Sequence, residues 1–381
     1  MRLRASSPWR HVKRAAVASL VAAMLATPQS VLACTSFLIR TTDDGAVYGR
    51  TMEFAFQLES RAMVIPRNYK LASTGPGGKP AISWTGKYAA VGLNALGVSA
   101  LVDGMNEKGL SGGILYFPDY AGYADPAKTD PAKSLAPWDL LTWALTNFAR
   151  VAEVKAAIGD VAVIHVVQEA MKIAPPVHYT LHDASGASLV IEPVDGKLKV
   201  YDNPLGVMTN SPSFDWHLTN LRNYVKLSPV NAPPLKVGEQ SFAPLGQGSG
   251  MLGIPGDPTP PSRFLRALGY TMSVERKPSG PESVRLAEHI VNNFDIPKGW
   301  IRLQDKGKGD KGQGDKPKEP LEYTQWSTVA DLVNRVYYVK TYEDPVLRGI
   351  DLKSFDLDAK TIVSAALVPA MTPPALPFAK P

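Results

Sequence analysis

The chain has 381 residues, with 41 Lys or Arg, 35 Asp or Glu and a formal net charge of +6. Five of the basic residues (Arg2, Arg4, Arg10, Lys13 and Arg14) and no acid fall in the first 14 positions. From Cys34 onward the charge is therefore only about +1, which gives no basis for a nucleic-acid partner. A single cysteine excludes an internal disulfide framework, so stability must come from a core, for which the length is ample.

The basic start, the small and apolar run Ala15–Ala26 and the small residue Ala33 read as a secretory leader cut before Cys34. The run is short for a bilayer span, and no integral membrane span is expected elsewhere. A cut there gives Cys34 a free α-amine beside its thiol, a base and a nucleophile on one residue. Val31-Leu32-Ala33-Cys34 also resembles a lipobox, in which Cys34 is acylated and the chain is a lipid-anchored, non-catalytic binding protein. The strand-like Thr35–Arg40, in place of a polar tether, favours the plain cut. A lone cysteine is most often simply buried, and that reading also stands.

Thr35–Arg40 and Ala46–Arg50 flank the turn Asp43-Asp44-Gly45 and predict a hairpin. Arg50 lies across it from Cys34, where a guanidinium favours the thiolate. Glu53 follows on Gly49-Arg50-Thr51-Met52 and is placed either to accept from the α-amine or to pair with Arg50. Asp103–Leu110 reads as a turn leading into a strand. Tyr116 closes the apolar run that follows, as a cavity wall or as core.

Pro137–Ile158 reads helical, with Trp138, Leu141, Leu145 and Phe148 on one face. Val177–Leu181, Ser188–Pro193 and Lys197–Tyr201 read as strands. His178 and His182, four apart on a strand, are too far apart to share a metal readily. A strand ending at Asn210 presents an amide suited to an oxyanion or to a turn. Phe214, Leu218, Leu221 and Val225 predict a helix face. The glycines of Gly246–Gly256 lack the lysine and strand context of a phosphate cradle and read as a tight loop. Helices begin at Pro260, carrying Arg263, and at Pro281. Thr324–Val329 and Arg335–Thr341 read as late strands. Asp305–Pro320 reads as a flexible charged loop, and the final dozen residues as a Pro-rich tail. With no linker visible, residues 34–381 form one domain of mixed helices and antiparallel sheet.

Taken in order, Cys34-Thr35, Gly49-Arg50-Thr51-Met52-Glu53, Gly104-Met105-Asn106-Glu107-Lys108-Gly109-Leu110, Thr209-Asn210-Ser211-Pro212-Ser213-Phe214-Asp215-Trp216-His217, Pro261-Ser262-Arg263-Phe264 and Tyr323-Thr324-Gln325-Trp326 resemble the choloylglycine hydrolase / penicillin V acylase family of N-terminal-nucleophile hydrolases. The resemblance spans Cys34 to about Tyr342. It implies an α+β, four-layer αββα sandwich of two antiparallel sheets and hydrolysis of non-peptide amides. It also implies homo-oligomers, often tetramers. The residues support no metal site, and no cofactor is expected. By resemblance Cys34 is the nucleophile, Arg50 the arginine beside it, and Glu53 stands where Asp is usual, near the α-amine. Asn210 and the Tyr116 backbone N–H are the oxyanion donors, and Arg263 is a second active-site arginine. Tyr116 tilts the substrate toward penicillin V or an acyl-homoserine lactone, with a conjugated bile salt close behind. The leader implies export, to the periplasm or beyond the cell.

Overall fold

The computed structural model describes residues 33–302, 321–367 and 372. The leader up to residue 32, the charged segment Asp305–Pro320 and nearly all of the Pro-rich tail lie outside the described residues.

The hairpin forms as the turn chemistry predicts. Strand β1 (Cys34–Arg40) pairs antiparallel with β2 (Ala46–Phe54), placing Cys34 opposite Met52. Asp44 at the turn takes a positive φ of 58°, which Asp tolerates better than most residues. β2 runs four residues beyond the predicted end because it is buried along its whole length and pairs again with Leu321–Asp331. Val336–Thr341 and Arg348–Asp351 extend this sheet, Ile301–Arg302 pairs with the start of Leu321–Asp331, and β1 is an edge.

A second sheet has eight strands in the spatial order Lys197–Asp202, Ser188–Val194, Val177–His182, Ser111–Tyr116, Asp103–Asn106, Ala90–Leu93, Arg61–Ile65 and Val363–Ala366. Every pairing in both sheets is antiparallel. β1 and β2 face Ser111–Tyr116 across the inter-sheet core. Helices α1 (Leu140–Asn147) and α2 (Val151–Ala157) cover the second sheet. Helices α4 (Pro260–Ser273) and α5 (Pro281–Val291) cover the first, after the short α3 (Phe214–Leu221). The result is four layers, helix, sheet, sheet and helix. Each sheet buries one face against the other and one under helices. No helix among the described residues is long and apolar enough to cross a membrane.

Three local expectations change. The helix predicted over Pro137–Ile158 is two helices, with Phe148 and Arg150 extended between them. The Asn106 side chain donates to the carbonyls of Leu145 and Phe148, both at 2.7 Å, and so ties off the end of α1. Met208–Asn210 is not a strand; only Met208 bridges to Ser36. The buried face of α3 is Phe214 and His217, while Leu218 and Val225 are exposed.

Two strands of the second sheet meet through glycine. A Cβ on Gly92 would lie 2.0 Å from the Asp103 carbonyl oxygen and 2.7 Å from the Gly104 Cα. Gly92→Ala is therefore expected to force this pair apart and to destabilise the fold by about 2 kcal/mol, measured as a lowered urea midpoint.

Candidate active site

The site forms where β1 begins. Cys34 is 2 % exposed and lines an apolar cavity of about 90 Å³ between the sheets, walled by Met52, Phe54, Ile114, Tyr116 and Trp138 among others. Tyr116 is thus a cavity wall.

Arg50 comes from β2 and is fully buried. Its Nη2 lies 3.7 Å from the Cys34 Sγ, and also donates to the Ile114 carbonyl. Its Nη1 donates to the Val102 carbonyl at 2.8 Å and to Asp103 Oδ2 at 3.3 Å, and its guanidinium lies over the Trp326 ring. A buried cation needs a buried counter-charge, and Asp103, not Glu53, supplies it. The reading of Arg50 and Glu53 as an ion pair is therefore corrected. Asp103 also accepts from Tyr48 Oη at 2.7 Å, Thr328 Oγ1 at 2.9 Å and Tyr337 Oη at 2.6 Å. Burial opposes the Arg50 charge, but the Cys34 and Asp103 side chains outweigh it and raise its pKa above the ordinary value. Gly113 leaves the room for this cluster, since a Cβ there would meet Arg50, Tyr48 and Asp103 within 3 Å.

Asn210 is the second anchor. Its Oδ1 accepts from the Cys34 backbone N–H and from Arg263 Nη2, both at 2.7 Å. Its Nδ2 donates to the Tyr116 carbonyl at 2.8 Å. One amide hydrogen is thus used on the protein and one is left. Arg263 projects from α4, buried rather than solvated. It donates to the Cys34 carbonyl, to Thr35 Oγ1 at 2.8 Å and to the Pro258 carbonyl at 2.8 Å. His217 on α3 stacks on Phe264 and donates from Nε2 to the Asn210 carbonyl at 3.0 Å.

Glu53 does not touch the Cys34 nitrogen. Its carboxylate accepts from Thr324 Oγ1 at 2.7 Å, and its backbone N–H donates to the Ala33 carbonyl at 3.1 Å. A register shift between Thr324 and Trp326 in the facing strand brings that threonine opposite Glu53. Beside it, Glu322 accepts the Ala33 N–H. Burial pushes the Glu53 carboxyl up to about 8 and the Glu322 carboxyl to about 7, in both cases against the pull of Arg263.

The structure therefore brings Cys34, Arg50, Tyr116, Asn210 and Arg263 together, with Glu53 one step removed. Sequence reasoning missed Asp103 and Glu322. Asp103 sits in a motif read only as a turn, while Glu322 meets Ala33 from 289 residues away, with no local signal.

Two antiparallel sheets packed between helices carry a lone thiol beside an apolar cavity, an arrangement suited to acyl transfer through that thiol. The comparisons agree. Residues 34–365 match the linear amide C-N hydrolases, choloylglycine hydrolase family, and the chain belongs to that family. A bile salt hydrolase/transferase of Clostridium perfringens is 33 % identical over 333 residues, covering 86 % of this chain and 95 % of that protein. A penicillin V acylase of Pectobacterium atrosepticum is 28 % identical, covering 89 % and 85 %. The structure of a variant conjugated bile acid hydrolase from Clostridium perfringens superposes with a TM-score of 0.76 at 30 % identity, covering 90 % of this chain and 99 % of that one.

Two outcomes follow from this geometry. Asp103→Asn leaves Arg50 without its counter-charge and is expected to cost about 3 kcal/mol. Tyr337→Phe, which removes one neutral donor, is expected to cost about 1 kcal/mol. Urea midpoints of the two variants rank them. Burial pushes His217 down to about 4, so the folded chain binds fewer protons there than the unfolded chain below the ordinary value of about 6.5. Its contribution is intact above that pH and is lost on acidification toward 4, up to about 3 kcal/mol. The thermal midpoint of His217→Gln is expected to fall less steeply than that of the parent over that window.

Proposed function

We propose that the chain, cut after Ala33, hydrolyses amides through Cys34 as an N-terminal nucleophile with its own α-amine as base. The observation that carries this is the position of Cys34. It lines the apolar cavity with its sulfur beside Arg50, and its nitrogen is already held by Asn210. The match to the family begins at the same residue.

The thiol proton passes to the α-amine, directly or through one water. The sulfur attacks the amide carbonyl, and Arg50 stabilises the thiolate that does so. The free Nδ2 hydrogen of Asn210 and the Tyr116 backbone N–H receive the oxyanion. Arg263 fixes Asn210 Oδ1 and the Cys34 carbonyl, so donor and nucleophile keep their relative position. The ammonium protonates the leaving amine, the C–N bond breaks, and water then cleaves the thioester. Glu53 steadies the amine end.

The acyl group enters the apolar cavity, so specificity lies on the acyl side. Penicillin V or an acyl-homoserine lactone is the first candidate on the strength of Tyr116, and a conjugated bile salt is the second, on the strength of the relative from Clostridium perfringens. The leader features support export, to the periplasm or beyond, and a homo-oligomer is expected.

Intact mass of the exported chain, together with turnover of penicillin V and glycocholate, tests this reading. A terminus at Cys34 with amide hydrolysis is expected. An acylated Cys34 overturns it in favour of the lipid-anchored binding protein. Cys34→Ser is expected to lose nearly all turnover, since a hydroxyl is the weaker nucleophile with this base. Asn210→Ala is expected to lose about 10²–10³-fold in kcat. Substantial activity in Cys34→Ser removes the mechanism.

A further inference from the structure

We propose that Glu322 is a positioning residue for the Cys34 α-amine: once the chain before Cys34 is gone, its carboxylate joins Glu53 in holding the new ammonium beside the thiol. This rests on the reading of Cys34 as a free N-terminal nucleophile.

In the uncut chain the two glutamates grip Ala33 from both ends. Glu322 Oε1 accepts the Ala33 N–H, and the Ala33 carbonyl accepts the Glu53 backbone N–H. Both partners disappear when the Ala33–Cys34 bond is cut. Backbone nitrogens of adjacent residues lie within about 3.6 Å, so the Glu322 oxygen is left within about 6 Å of the Cys34 nitrogen.

A count of hydrogen bonds then points the same way. An ammonium has three N–H groups, and Asn210 Oδ1 takes one. The cut adds the other two, one of them along the severed bond to Ala33. Glu53 Oε2 and Glu322 Oε2, on the two residues that hold Ala33, are buried with no hydrogen bond of good geometry, the Thr51 hydroxyl lying beside the Glu53 carboxyl. Charge balance agrees. The groups facing this point are the Cys34 thiol, Arg50 and Glu53 from the hairpin, Glu322 from the facing strand, and Arg263 with the more distant Arg266 from α4. Asp103 already neutralises Arg50. With both carboxyls ionised, Arg263 offsets one of them, and the ammonium that leader removal creates offsets the other. Burial holds both carboxyls at raised pKa while Ala33 is present, and the arriving cation favours their ionised forms. The result is an ammonium fixed next to the sulfur, poised to return its proton to the leaving amine.

The test begins with intact masses of the wild type, Glu322→Gln and Glu322→Asp. A wild type that does not start at Cys34 removes the N-terminal-nucleophile reading, and this proposal with it. Where Cys34 is the terminus, kcat/KM is measured across pH. The alkaline limb reports loss of the ammonium proton. Removing a carboxylate lowers the amine's hold on that proton, so Glu322→Gln is expected to move the limb about one pH unit lower. Its kcat near neutrality is expected to fall about tenfold with KM unchanged, and Glu322→Asp is expected to recover part of both. A limb that stays in place in Glu322→Gln, with only the thermal midpoint lowered, reduces Glu322 to a packing residue. Should Glu322→Gln not fold or not be cut, Glu322→Asp still carries the test: a smaller shift in the same direction supports the proposal, and none overturns it.

Discussion

A guanidinium with no access to water governs the middle of this molecule. Arg50 can sit there only because Asp103 neutralises it and two backbone carbonyls take its hydrogens. Asp103 in turn is held by hydroxyls from three strands of the first sheet, Tyr48, Thr328 and Tyr337. Asp103 belongs to the second sheet and Arg50 to the first, so one ion pair pins the two layers in a single lateral position. The thiol, at the end of the edge strand, inherits that position. Electrostatic compensation in a low-dielectric interior thereby becomes positional accuracy at the nucleophile.

The other half of the site is built on Asn210, which has no regular secondary structure of its own. Its oxygen joins Cys34 to α4 through Arg263, its nitrogen joins the Tyr116 strand end, and His217 fixes its carbonyl from α3. A side chain committed in three directions has little rotational freedom left to lose on meeting substrate, which is how an irregular segment serves as a rigid donor.

Much of the architecture was legible because it is local chemistry. The Asp43-Asp44-Gly45 turn marks the hairpin, Pro260 and Pro281 open their helices, and the spacing of Cys34 and Arg50 sets them near one another across it. What was illegible depends on distant partners. The break between α1 and α2 comes from Asn106, whose amide claims the last carbonyls of α1. The face of α3 follows His217 and Phe214 because Phe264 and Glu192 wait beneath them. Glu53 has a legible position, but its partner is decided by a register shift in a strand some 270 residues later. The Gly104-Met105-Asn106-Glu107 motif was recognised while its neighbour Asp103 passed as part of a turn, since nothing in one strand reveals that three hydroxyls from another sheet converge on it.

Ala33 and Cys34 are both almost wholly inaccessible, 1 % and 2 % exposed, and the bond joining them is tucked among β2, α4 and the strand carrying Glu322. A bond so enclosed is out of reach of an outside protease once the strands and helices around it have formed. The proposed cut before Cys34 would therefore belong either to a chain that has not yet folded around that bond, or to groups already assembled beside it.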